Sequence, residues 1–218
     1  MHAQPAKITN TTEVLLRSLT TQNLDAVAAI HGAAQPEDTI TLLGLETVRR
    51  YYEWQMIGPH SASAFGAFFR ENCVGFFFGG VFRGSTSGFL RENRLYLSLR
   101  LLTHPWLIRR ASFRNHLRFA VRLIWNSARR QTPSFAKPAP PQSFGILALN
   151  VSPAFQRKGI GKLLMQQAEE VARKNSFYGM HLTIPVENEN ALAFLQHLGW
   201  EKSPTEGEWR GQLTKTLQ

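Results

Sequence analysis

Cysteine is nearly absent from this 218-residue chain, where Cys73 is the single thiol. One thiol excludes an intrachain disulfide and a cysteine-based metal site, so a reducing compartment is the simplest setting and no metal is expected. Long apolar runs are also missing. The longest, Val74 to Phe82, falls well short of the roughly 18 residues that a spanning helix needs. The opening stretch MHAQPAKITNTTEVLL lacks an apolar core of signal-peptide length, which leads to the expectation of a cytoplasmic protein. Acidic residues are few: 15 Asp and Glu face 25 Lys and Arg, for a formal charge of +10. Apolar volume is not scarce. With 43% hydrophobic residues, 15 Phe and 5 Trp, the chain can bury a core, and intrinsic disorder is excluded. Its length predicts one compact domain spanning residues 1–218 with an insertion.

The charge is not spread evenly. Residues 83–142 hold twelve cations against Glu92 alone, a net +11, and the rest of the chain carries −1. The excess therefore belongs to one segment. It closes with TPSFAKPAPPQS, whose prolines favour an extended path.

Outside that segment, hydrophobic spacing predicts a strand over 13–19 and a helix over 22–34 with Thr20 and Thr21 as caps. A second helix is predicted over 46–56, then two strands over 63–70 and 73–82 joined through Glu71-Asn72. Past the insertion the expected order is strand 144–151, helix 158–174, strand 180–186, helix 189–198 and one or two terminal strands. There is no internal repeat. Strands alternating with helices imply the α/β (mixed α+β) class, with a central mixed, partly parallel sheet flanked by helices.

The stretch from Leu149 to Leu164, LNVSPAFQRKGIGKLL, carries the chemistry. A buried strand ends, a Pro-containing turn follows, and a Gly-spaced loop opens an amphipathic helix. Gly159 and Gly161 let the backbone approach an anion, the first helical N–H groups point outward, and the helix dipole adds positive charge there. Arg157, Lys158 and Lys162 strengthen that field. The spacing is not that of a P-loop, which needs four residues between its glycines, nor of a dinucleotide fingerprint, which needs a third glycine.

Gln156-Arg157-Lys158-Gly159-Ile160-Gly161 after LALNVSP resembles the acyl-CoA-binding motif of the GNAT superfamily of N-acetyltransferases, Gln/Arg-x-x-Gly-x-Gly/Ala. The likeness extends to the opening strand and helix around Leu16-Arg17, and to the run Leu182 to Ala191 with Gly199-Trp200, covering about 13–82 and 143–216. The resemblance implies a GNAT-like fold and transfer of an acetyl group from acetyl-CoA, as acyl-donor substrate, to a primary amine by direct attack. It implies that backbone amides from Gln156 through Lys162 hold the CoA pyrophosphate. Main-chain groups of Leu149 and Val151, flanking Asn150 on the strand, would serve the acyl carbonyl and the pantetheine arm. Asn188 would contact pantetheine, and capping the helix that follows is an equal alternative for it.

Two catalytic groups common in the family are missing. The position of the usual Tyr that assists the leaving thiolate falls at Leu195, beside Phe194, and that of a Glu found in some members falls at Gly145. His181 is the remaining titratable candidate for the base. Glu46 and Tyr51 are candidates for lining an acceptor pocket. A CoA-binding regulatory module without turnover is the alternative to an enzyme, and a protein or small free amine the alternative acceptor.

Within the insertion, Phe113, Leu117, Ala120, Val121, Ile124 and Ala128 share one helical arc beside a row of Arg110, Arg114, Arg118 and Arg122. Three readings of this basic helix stand open: peripheral contact with an anionic membrane, a helix packed on its own domain with a solvated Arg face, or recognition of phosphate on the acceptor. The last agrees with a likeness to GNAT-like proteins associated with cell-surface glycan synthesis and points to a nucleotide- or lipid-linked amino sugar. Nucleic acid is not expected, because no pattern of a nucleic-acid-binding module is present. Oligomeric state is not legible.

Overall fold

The computed structural model describes residues 13–82, 84–109, 113, 143–204 and 207–217. In chain order the elements are β1 (Val14–Ser18), α1 (Leu24–Ala34), α2 (Thr39–Leu42), α3 (Leu45–Ile57), β2 (Ser61–Phe69), β3 (Asn72–Val81), α4 (Ser85–Glu92) and α5 (Arg94–Thr103). Then come β4 (Phe144–Val151), α6 (Ile160–Lys174), β5 (Gly179–Thr183), α7 (Glu189–His197), β6 (Glu201–Lys202) and β7 (Gln212–Thr216). The chain divides into two compact units, one built from residues 1–19, 61–82 and 139–218, the other from 20–60 and 83–138.

The first unit holds a seven-stranded mixed sheet in the order β1-β2-β3-β4-β5-β7-β6. The expected class is observed: β4 and β5 run parallel and the other neighbours antiparallel. Phe69, Val74, Phe77 and Phe144 on the sheet are buried with Ile160, Leu164, Met165, Ala168 and Ala172 of α6. These α6 positions recur at three- and four-residue steps, so one stripe of the helix lies on the sheet and the opposite face stays polar. The end of α7 is closed by a paired bond set. Gly199, at φ 80, turns the chain so that its N–H donates to Gln196 O and the Trp200 N–H to Leu195 O, and the Trp200 indole is buried in the core.

The second unit is helical. His31 on α1 links it internally, with Nδ1 2.8 Å from the Tyr52 hydroxyl on α3 and Nε2 3.0 Å from an Asp38 carboxylate oxygen. Helix α5 is fixed by Arg100, whose Nε donates to Leu43 O at 2.8 Å, and by Tyr96, whose hydroxyl is 3.1 Å from Thr47 Oγ1. The predicted basic arc from Phe113 to Ala128 lies outside the described residues except for Phe113, which is buried with Leu43 and Leu107.

Several boundaries differ from the sequence expectation. The helix read over 158–174 starts at Ile160, because Arg157 and Gly159 both take left-handed backbone, with φ 60 and 78. The helix read from 22 begins as a short 3₁₀ turn at Thr21–Asn23, where the Asn23 side chain accepts from the Thr20 N–H. The strand read to 186 ends at Thr183. Ile184 N–H donates to Gly211 O instead, and Pro185 has no N–H to continue a ladder. Helices α4 and α5, in the basic segment, were not anticipated.

Candidate active site

The centre of the sheet is split. β4 pairs with β5 at Phe144–Met180 and Gly145–His181 only, yet it continues to Val151. Its other edge stays bonded to β3, with one irregularity where Phe78 pairs with Ala148 and Gly79 with Ile146. Leu147 is thus an extra residue on β4, a bulge of the kind that bends a strand. Beyond it, Ser152 N–H donates to Val74 O at 2.9 Å. Backbone direction alternates along a strand, so the main-chain groups of Leu149 and Val151 turn away from β3, toward the side where the β5 ladder has ended. The Val151 carbonyl is already engaged by Gln156 Nε2 at 3.1 Å. The loop thus shares the Val151 carbonyl, while the Val151 N–H lies on the side away from β3. The Asn150 side chain between them is buried.

The loop after β4 turns sharply at Arg157 and Gly159. Leu163 N–H, bonded to Gly159 O at 3.0 Å, is the first α6 amide to reach an intrahelical carbonyl, so the amides before it face outward at the positive end of a 15-residue helix. Lys158 Nζ sits 5.0 Å from the centre of the Phe155 ring, while Arg157 and Lys162 are exposed beside the turn. A Cβ placed on Gly161 would lie 3.4 Å from Phe194 Cζ, so this aromatic ring borders the helix start. Ile160 points its side chain into the core and contributes only backbone. The loop fits a pyrophosphate: it offers outward amides, a dipole and two glycines where a side chain would crowd an anion.

Asn188 does cap α7, its Oδ1 accepting from Ala191 N–H at 3.0 Å. Leu195, where the family's Tyr would fall, is buried in the core.

His181 occupies an informative place. Its Nδ1 is 2.9 Å from Ser143 Oγ, and that hydroxyl donates to Gly179 O at 3.3 Å. The serine has one proton, so its oxygen accepts from Nδ1–H, which leaves the lone pair on Nε2. Partial burial lowers the pKa of the imidazole below its ordinary value. Neutral and with Nε2 unprotonated, it meets the chemical requirements of a proton acceptor near pH 7.

Glu46 and Tyr51 have local partners in the second unit. Glu46 accepts from Arg50 Nε at 2.7 Å. Tyr51 packs edge-on against Tyr52 and Phe89, and burial, with Asp38 adding, raises its pKa above the ordinary value. Burial pushes the Cys73 thiol up to about 11, away from the thiolate form that reacts. Among the described residues no cluster of His, Cys, Asp and Glu could hold a metal, and no helix is long and apolar enough to cross a membrane.

A mixed sheet that opens between β4 and β5, with an anion-binding loop after β4, is the architecture of acyl-CoA-dependent acetyltransferases. The family model for the acetyltransferase (GNAT) family matches residues 32–200; the chain belongs to that family and is an acetyl-CoA-dependent N-acetyltransferase. Solved structures share the fold at low identity. The PaiA N-acetyltransferase of Thermoplasma acidophilum, in complex with coenzyme A, superposes with a TM-score of 0.57 at 13% identity, covering 93% of this chain and 98% of its own. An acetyltransferase from Thermus thermophilus gives 0.56 at 13%, covering 96% and 100%. The ribosomal-protein-S18-alanine N-acetyltransferase of Escherichia coli gives 0.54 at 12%, covering 94% of each. No curated protein matches the sequence.

Proposed function

We propose that the enzyme acetylates the primary amine of a small phosphate-bearing molecule, an amino sugar linked to a nucleotide or to a lipid diphosphate. The observation that carries the donor side is the cradle after β4, where Gly159 opens α6 beneath outward amides. Amides from Arg157 to Lys162 hold the CoA pyrophosphate; the Gln156 N–H, expected to join them, donates instead to Pro153 O at 3.4 Å. Leu149 main-chain groups and the Val151 N–H align the thioester and pantetheine, a backbone N–H supplying a preorganised donor to the charge that develops on the carbonyl oxygen. Asn188 borders the pantetheine path while capping α7.

In the transfer step the amine lone pair attacks the thioester carbon, the C–S bond breaks, and the proton that the nitrogen sheds as the amide forms goes to the departing thiolate, so that CoA leaves as the thiol. The ammonium form must first lose a proton, and His181 Nε2 takes it. Gly145, beside His181, precedes Leu149 by four residues, about 13 Å of strand, so the proton travels through ordered water.

The acceptor class is supported by charge. The segment 83–142 carries a net +11, and Arg forks match phosphate oxygens in pairs. Its likeness to GNAT-like proteins associated with cell-surface glycan synthesis agrees. The deciding experiment is an acetyl-CoA consumption screen over amino-sugar nucleotides, peptides and polyamines. Turnover with the sugar nucleotides is expected; turnover with peptides or polyamines alone would reject this acceptor.

A further inference from the structure

Helix α5 is apolar on both of its sides. One side is accounted for within its own unit: Tyr96 and Arg100 bond to Thr47 and Leu43, and Leu97 and Leu101 pack on Leu43, Leu107 and Phe113. The other side should then be polar, as on an ordinary surface helix. Instead it presents Leu95, Leu99 and Leu102, exposed to 80%, 59% and 77%. At 100° per residue these three fall within an arc of about 60°. Trp106, 55% exposed, follows four residues after Leu102. Exposed Arg91 and Arg94 precede the stripe in sequence and exposed Arg109 follows it, and the acid among them, Glu92, lies 3.6 Å from Arg91 Nε.

We infer that this face is a peripheral docking surface for an anionic lipid bilayer. Leucines at i, i+4 and i+7 enter the acyl boundary, a tryptophan sits at the headgroup level, and arginines meet lipid phosphates. Charge decides the occupant. A segment of net +11 is drawn to a negative surface and repels a second copy of itself across a two-fold axis. Four side chains also fall short of the ~800 Å² per partner that a stable protein interface buries. The membrane reading of the sequence was made for residues 83–142 from the arc over 110–128; this surface lies in the same segment but is carried by the leucines of α5, and it rests on no part of the acyl-transfer proposal.

The test is flotation of the full chain with vesicles of phosphatidylcholine alone and of phosphatidylcholine with an equal share of phosphatidylglycerol. Binding to the anionic vesicles is expected, lost in about 0.5 M salt, where screening shortens to roughly 4 Å. Tryptophan emission should shift to the blue on binding, and Trp106→Phe should remove most of that shift. The triple variant Leu95→Gln, Leu99→Gln, Leu102→Gln should lower the partition coefficient at least about tenfold while melting temperature and CoA affinity stay as in the wild type. Failure of the wild type to bind anionic vesicles overturns the proposal. So does unchanged vesicle binding by the triple variant, or a wild-type dimer in sedimentation that this variant dissolves.

Discussion

The imidazole of His181 lies in the space that a side chain at position 145 would fill: a Cβ built on Gly145 would sit 3.0 Å from His181 Nε2. The two residues are direct partners in the β4–β5 ladder. Where the family resemblance places a carboxylate in some members, this chain has a glycine with an imidazole from the neighbouring strand beside it. If His181 is the base, as proposed, it stands at the spot where some members of the family carry the carboxylate. His181→Gln should lower kcat by about 10²-fold or more and remove the acid limb from the pH profile of kcat/KM. Gly145→Ala, which pushes the ring by a few tenths of an ångström, should lower kcat by roughly tenfold with little change in KM for acetyl-CoA. Unchanged profiles in both variants would reject His181 as the base.

Stability should report the same group. His181 has a lowered pKa in the folded chain, so above its unfolded value of about 6.5 both states are neutral there and its contribution is fully present. As pH falls from about 6.5 through the folded pKa, the unfolded chain binds the extra proton and stability is lost. His181→Asn should flatten the melting temperature across that window. An unaltered slope would show that other groups govern it.

The cradle depends on backbone shape. Gly159 at φ 78 holds a conformation that costs an L-residue about 1–2 kcal/mol, and Leu163 N–H bonds its carbonyl. Gly159→Val should raise the Kd for CoA by about tenfold or more in calorimetry, with a smaller effect on folding. Retained affinity would show that the amides of this turn do not hold the pyrophosphate.

Much of this site was legible because local chemistry dictates it. Glycines at 159 and 161, the cations around them and the switch from strand to helix are encoded within a dozen residues. Strand order through β4, α6, β5 and α7 was legible for the same reason, from periodicity. The rest depends on register between distant segments. The bulge at Leu147, the short β4–β5 ladder and the meeting of His181 with Gly145 follow from how strands distant in sequence align, Phe78 with Ala148 and Gly145 with His181, and no local pattern announces them. Left-handed Arg157 moved the helix start because an arginine carries no sequence signal for that backbone. Helix α5 was missed for a different reason: its leucines lie on both sides, so no single apolar stripe stands out from a segment dominated by charge.

In the second unit, Tyr52 is fully buried and its hydroxyl meets His31 Nδ1. Tyr52→Phe keeps the ring and leaves a buried imidazole nitrogen without this partner, which should cost about 1–3 kcal/mol. A loss that small is readable as a lower denaturant midpoint with unchanged slope. His31→Phe together with Tyr52→Phe should lose less than the sum of the two single changes, since the pair acts as one unit. Strict additivity would show that the contact contributes nothing.

The last relationship ties α6 to β7, the strand between β5 and the edge strand β6. Glu169, largely buried on α6, accepts from Lys215 Nζ of β7 at 2.6 Å and from Arg173 at 3.5 Å. Lys215 also donates to Leu198 O at 2.6 Å, just past α7. With side chains only 12% and 19% exposed, this pair is better shielded from water than a surface ion pair, and breaking it from one side strands a charge. Glu169→Gln should cost about 2 kcal/mol, or roughly 4–8 °C in melting temperature for a chain of this size. Glu169→Gln with Lys215→Met should recover part of that loss, because no charge is left unpaired. The pair is distant in sequence from the loop at 156–162 but shares its helix. If it sets the pose of α6, Glu169→Gln weakens CoA binding as well, and the double variant restores affinity in step with stability. A stability loss with CoA affinity untouched would confine the pair to holding the core together.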